Sequence, residues 1–126
     1  MKIVLMLLTA VFSVGSERLV GGFTEISVDD AGALKALDIA VQEHNERSNN
    51  MYISGVREVR KVEVQVVEGI LYKIHVIMGN TPCRKTSALK QCTVHGDSEL
   101  TRPYECTFRV WQRPWLGETQ VWEKCP

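Results

Sequence analysis

Apolar positions change period along the chain. Leu34, Leu37, Val41 and His44 recur at helical spacing, with Ala33, Ala36 and Ala40 beside them. Lys35, Asp38, Gln42 and Glu43 fall largely on the other faces. Asp29 or Asp30 can cap this helix, because a carboxylate accepts bonds from free N–H groups of the first turn. Gly32 in that turn weakens it slightly. Ser48, Asn49 and Asn50 predict its end.

A period of two follows. Val62, Val64 and Val66 alternate with Lys61, Glu63 and Gln65. Ile70, Tyr72, Ile74, Val76 and Met78 alternate with Leu71, Lys73, His75 and Ile77. Both runs predict strands with one buried face. A turn centred on Val67 would pair Val64 with Ile70 and Val62 with Tyr72, all on one face. Gly79, Asn80 and Pro82 predict the end of the second strand, and residues 81–103 read as an aperiodic loop. Tyr104, Cys106, Phe108 and Val110 form a third alternating run. Pro114 and Gly117 mark a turn, and residues 120–125 return as a last strand. The expected architecture is α+β: one helix covering the apolar face of an antiparallel sheet.

The start of the chain has another pattern. Lys2 precedes an apolar run over residues 3–12, and Ser13, Val14, Gly15 and Ser16 are small. That is the layout of a secretory signal peptide. A bilayer span needs about 20 apolar residues, more than this run has. Residues 1–16 are therefore expected to be removed, leaving residues 17–126 as one secreted, extracellular domain. Loss of Lys2 reduces 15 basic side chains to 14 against 15 acidic ones. A formal charge of −1 gives no general attraction to nucleic acid or membrane.

The four cysteines, Cys83, Cys92, Cys106 and Cys125, all lie in the second half. In a small exported chain an even count reads as a disulfide framework. Zinc is the competing reading, but no paired C-x-x-C spacing is present. A hairpin turning near Trp115 and Leu116 would place Cys106 opposite Cys125, leaving Cys83 with Cys92. No cofactor or metal is expected.

Nothing forms a catalytic set. Oxidised cysteines offer no thiolate, His44 lies on the helix's apolar stripe, His75 projects from the second face of the sheet, and His95 sits in the aperiodic stretch near Asp97. Three other stretches stand out as apolar or glycine-bearing where water is expected. They are Leu19-Val20-Gly21-Gly22, the hairpin tip Gln65-Val66-Val67-Glu68-Gly69, and Arg113-Pro114-Trp115-Leu116. Both turns close at the same end of a sheet whose strands run in order. An exposed apolar edge of this kind marks a binding surface. A Trp behind a Pro is a low-entropy anchor.

Across nearly its whole mature length the chain resembles the type 2 (secreted) cystatins. Gln65, Val67 and Gly69 match the family signature Q-x-V-x-G. Pro114 and Trp115 match its Pro-Trp hairpin, and Gly21 after Leu19 and Val20 matches its N-terminal glycine. The helix segment Ala40-Val41-Gln42-Glu43-His44-Asn45 and the four late cysteines, paired first with second and third with fourth, complete the resemblance.

The resemblance implies a helix on a curved antiparallel sheet of about five strands. It also implies a reversible, competitive, tight-binding inhibitor of papain-like cysteine proteases such as the cathepsins. The N-terminal segment and two hairpins would form a wedge. Leu19 and Val20 would fill non-primed pockets, Gly21 would turn the backbone away from the protease thiolate, and residues 66–69 with Trp115 would cover the primed side. Ser48-Asn49-Asn50 is similar to the legumain-binding Ser-Asn-Asp of some cystatins, with Asn49 as the entering residue. The protein would be a monomer. The resemblance also implies strain at Val67, whose release would open the hairpin and give an inactive domain-swapped dimer. The alternatives are a cystatin-fold carrier module, for which damaged wedge residues would be expected, and an antimicrobial propiece, for which a basic tail beyond Pro126 would be expected.

Overall fold

The computed structural model describes residues 22–85 and 101–126; the expected signal segment, Leu19, Val20, Gly21, Cys92 and His95 lie outside the described residues. Strand β1 (Thr24–Ile26) leads into helix α1 (Ala31–Arg47). Four strands follow: β2 (Tyr52–Val66), β3 (Ile70–Arg84), β4 (Thr101–Arg113) and β5 (Glu118–Lys124). They make one antiparallel sheet in the order β1-β2-β3-β4-β5.

Asp30 is the helix cap, accepting from the Ala33 N–H at 2.9 Å. The helix ends at Ser48, whose N–H donates to the His44 carbonyl. The buried stripe is Ala33, Ala36, Leu37, Ala40 and His44. Leu34, expected in that stripe, is exposed instead. The alanines face the sheet because small side chains let the helix sit low on it. Gly32 serves the same close approach: a Cβ there would lie 2.4 Å from the Tyr72 hydroxyl. Against the helix pack Val62, Tyr72, Ile74, Val76, Met78, Phe108, Val110 and Val121, the inward residues of four alternating strands.

The β2–β3 register differs from the expected one by two residues. Val64 pairs with Tyr72, Val62 with Ile74, and Val66 with Ile70. The loop is Val67-Glu68-Gly69, and both Glu68 (φ 45°) and Gly69 (φ 118°) take left-handed backbone. The chain reverses there, one residue later than expected. A shift of two preserves which face each side chain meets, so the inward set survives.

The end of β3 also differs. It runs past Gly79 to Arg84 because β2 is long enough to partner it, with Tyr52 opposite Arg84 and Ser54 opposite Asn80. Irregularities in β2 near Ile53, Arg57 and Arg60 absorb the mismatch and bend the strand. The Thr81 hydroxyl donates to the Ile53 carbonyl at 2.7 Å. Residues 81–84 and 101–103 are thus strand rather than loop.

Cys106 is bonded to Cys125, as the hairpin argument required. The expected Cys83–Cys92 bond involves a residue outside the described ones. Below the helix's second half, polar side chains bond among themselves, although Glu123 Oε1 is buried without a hydrogen-bond partner among the described residues. His44, 8% exposed, has Nδ1 3.0 Å from Glu123 Oε2 and Nε2 2.9 Å from the Tyr104 hydroxyl, which donates to Ser54 Oγ at 2.8 Å. Asn45 accepts from the Ser54 N–H and donates to the Ser54 carbonyl, pinning helix to β2 as a neighbouring strand would.

Candidate functional site

At one end the sheet outruns the helix. Val62 and Val64 point inward, and Val66, next in that row, has no helix above it and is 81% exposed. Its partner Ile70 is also exposed. The sequence continues an apolar row past the place where the core stops, leaving an uncovered apolar edge.

Three segments meet at this end. Thr24 of β1 lies opposite Val64, so the chain arrives at β1 from beside the β2–β3 tip. The tip itself presents Val66, Val67, Glu68 and Gly69, with Gln65 paired to Leu71 just behind. The third segment joins β4 to β5 through a single 3-10 turn, Pro114–Leu116, closed by left-handed Gly117, whose N–H donates to the Pro114 carbonyl. Pro114 is exposed, Trp115 is 63% exposed, and Leu116 is exposed beside it.

The two loops are joined. Ile70 pairs with Gln112, so residue 69 arrives directly beside the start of the second loop. A Cβ on Gly69 would lie 2.3 Å from the Gln112 carbonyl oxygen, so this position needs glycine for space and for its positive φ. The Trp111 indole N–H donates to the Val67 carbonyl at 3.1 Å. Arg113 stacks its guanidinium 4.1 Å from the centre of the Trp111 ring and pairs with Glu118 across the hairpin. Trp111, Gln112 and Glu118 are therefore structural members of the site that pattern reading does not single out, and Arg113, singled out with its loop, supports that loop from behind.

Sequence reasoning picked Gln65, Val66, Val67, Glu68, Gly69, Pro114 and Trp115, and the fold gathers them at one edge. Leu19, Val20 and Gly21 lie outside the described residues. Asn49 is elsewhere, exposed between the helix cap and the start of β2, at the opposite end of that strand. Val67, expected to carry strain, does not have a positive φ; the left-handed backbone falls on Glu68 and Gly69.

His44, Cys106 and Cys125 offer atoms within 4.8 Å of one another. The two sulfurs are bonded together and both imidazole nitrogens have partners, so these residues do not form a metal-ligand set. Among the described residues the edge presents apolar side chains and no activated nucleophile. Such a surface defines a binding module.

A family model for the cystatin domain matches residues 21–115. Over 120 residues the chain is 47% identical to a cystatin-C of Paralichthys olivaceus, covering 94% of each chain. It is 44% identical to a cystatin of Oncorhynchus keta, covering 95% of this chain and 92% of that one. Among solved structures, dimeric human cystatin F matches with a TM-score of 0.70 at 28% identity, covering 84% of this chain and 86% of that one. The chain belongs to the cystatin family, whose members are inhibitors and not enzymes.

Proposed function

We propose that the protein is secreted after loss of residues 1–16. The remaining domain, residues 17–126, then acts as a reversible, competitive inhibitor of papain-like cysteine proteases, cathepsins among them. The observation that carries this reading is the exposed apolar edge, with Val66 and Trp115 more than half exposed on neighbouring hairpins. Leu19 and Val20 would enter the non-primed pockets, and Gly21 would bend the backbone away from the thiolate. Val66, Val67, Glu68 and Gly69, with Pro114 and Trp115, would cover the primed side. The bonds between the loops hold the edge in shape beforehand, which limits the entropy lost on binding.

Titration of papain with the processed protein tests this reading. Stoichiometric, competitive inhibition without cleavage is expected. Trp115→Ala should weaken it by about 2 kcal/mol or more while leaving the fold intact, since the ring is largely in solvent. Deleting residues through Val20 should weaken inhibition to a degree that varies among proteases. Papain left fully active in excess protein would point instead to a carrier module on the cystatin fold.

A second reading concerns legumain. Asn49 is exposed, and its neighbours are fixed: the Asn50 N–H donates to Ser48 Oγ, and Asn50 Oδ1 accepts from the Tyr52 N–H. A held, exposed asparagine suits an asparagine-specific protease. Because this segment is at the other end of β2, legumain inhibition should persist with papain bound and vanish in Asn49→Ala.

A further inference from the structure

The helix covers one face of the sheet. Strand alternation sends Leu71, Lys73 and His75 of β3, Thr107 and Arg109 of β4, and Trp122 and Lys124 of β5 to the other. Together with Glu123, whose carboxylate is turned to His44 on the helix side, they line an open depression of about 630 Å³. The register sets Lys73 opposite Arg109 and Arg109 opposite Trp122; one row along, His75 lies opposite Thr107 and Thr107 opposite Lys124. Lys73 and Arg109 are thus about 5 Å apart across strands, and Lys124 lies on the diagonal from Arg109, about 7–8 Å away.

The charges here are unbalanced in a chain with 15 basic and 15 acidic residues. Several cations are paired with carboxylates: Arg47 with Glu43, Lys61 with Glu63, and Arg113 with Glu118. Lys73, Arg109 and Lys124 have no carboxylate partner among the described residues. The Lys73 ammonium lies 5.3 Å from the centre of the Phe23 ring. Of the carboxylates on this face, Glu63 lies opposite Lys73 but is engaged by His75 and Lys61, and Glu25 lies beyond it on β1. Glu118 pairs with Arg113, and Glu105 lies at the far end beyond Thr107. Amid the three cations stands Trp122, 47% exposed.

We propose that this face binds a polyanionic glycan, with one sugar ring stacked on Trp122 and its sulfate or carboxylate groups on Lys73, Arg109 and Lys124. An indole presents a broad apolar face to the C–H side of a sugar ring. Anions at the ring's edge then reach cations at the spacing of neighbouring strands, where charge-assisted bonds form. A single-stranded nucleic acid fits less well, since it needs successive aromatic platforms and, among the described residues that line this depression, Trp122 is the one large aromatic. The site stands apart from the two loops and does not depend on protease inhibition.

The probe is a heparin-derived octasaccharide, followed by calorimetry and tryptophan fluorescence. Binding is expected at about 50 mM salt and should weaken steeply by about 200 mM, as counterion release requires. Each of Lys73→Gln, Arg109→Gln and Lys124→Gln should weaken it about two- to fivefold, and Trp122→Leu about fivefold or more. Arg109→Glu, which reverses the central charge, should abolish it. Papain titration of every variant checks folding, because none of these residues belongs to the loops. The proposal fails if the octasaccharide does not bind, or if the triple Lys73→Gln/Arg109→Gln/Lys124→Gln variant binds like the parent. It also fails if Trp122→Leu is unaffected, or if the desulfated octasaccharide or an oligonucleotide of equal charge binds as tightly.

Discussion

The indole N–H of Trp111 reaches across 44 residues of sequence to the main-chain carbonyl of Val67, at 3.1 Å. One hairpin thereby holds the tip of the other. Trp111→Phe keeps an aromatic ring beneath Arg113 but removes the donor. A hydrogen bond of this kind contributes about 0.5–1.5 kcal/mol. Because water can replace the indole at this exposed carbonyl, the loss should fall mainly on the order of the tip. The papain inhibition constant should rise about two- to tenfold, with urea stability nearly unchanged. Equal inhibition by both proteins would show that Trp111 does not position the tip.

Gly69 and Gly117 both have positive φ, but they differ in surroundings. A methyl at Gly117 meets nothing within 4 Å, whereas one at Gly69 collides with the Gln112 carbonyl. Gly117→Ala should therefore cost only the left-handed backbone penalty, about 1–2 kcal/mol. Gly69→Ala should cost more and displace the first loop, reducing papain inhibition as well. Urea unfolding of both variants gives the order. Equal costs would mean that the Gly69–Gln112 approach is not tight.

The fold was legible wherever one face of an element meets the core. The alternation in residues 62–66, 70–78 and 104–110 shows directly which side chains share the inward row, and Asp29 or Asp30 marks the helix start, the structure choosing Asp30. Among the candidate-site residues, Val66, Val67, Gly69, Pro114 and Trp115 were legible because apolar or glycine residues fall at or beside turns, while Gln65 stood out through the resemblance to the cystatin signature. What pattern reading misses depends on distance. Period two is blind to a register shift of two, so the turn was placed one residue early. It is also blind to bulges, which let β3 continue through Gly79 and Asn80. Leu34 fits helical spacing but lies beside a stripe of alanines that sits closer to the sheet. Trp111 left only a faint signal: an outward aromatic near a turn, whose N–H needs an acceptor.

Tyr104 joins His44 to Ser54. Burial raises its pKa above the usual phenol value and the Glu123 carboxylate adds to this, while the bond to Ser54 acts in the opposite direction. A raised folded value means that the neutral phenol stabilises the fold. That contribution is present below the unfolded value of about 10 and is lost as pH rises through the folded value. Tyr104→Phe should lower stability near neutrality by about 1–3 kcal/mol, since it strips a partner from His44 and Ser54. It should also flatten the alkaline decline, though not abolish it, because burial and Asp30 raise Tyr72 in the same direction. Urea unfolding across the range from neutral to alkaline pH measures both. An unchanged alkaline slope would remove Tyr104 from the account.

The β2–β3 tip bears on oligomeric state, because its strain falls on Glu68. That residue holds φ 45°, and a non-glycine side chain in left-handed backbone costs about 1–2 kcal/mol. If the hairpin opens, β2 and β3 can become one long strand and the helix-bearing half can exchange with a second molecule. Core contacts are preserved in such a swap, so its free-energy cost is small. Straightening the tip releases the Glu68 strain once per chain and destroys the edge proposed to bind the protease. Glu68→Gly removes that strain from the closed form. At about 1 kcal/mol per tip and two tips per dimer, the dimerisation constant should fall roughly 30-fold. Val67→Gly should do much less, because Val67 does not have a positive φ. The measurement is size-exclusion chromatography after mild denaturant, with papain titration of each fraction; the dimer fraction should be inactive. Suppression by Val67→Gly but not by Glu68→Gly would return the strain to Val67, and a fully active dimer would exclude opening of this hairpin.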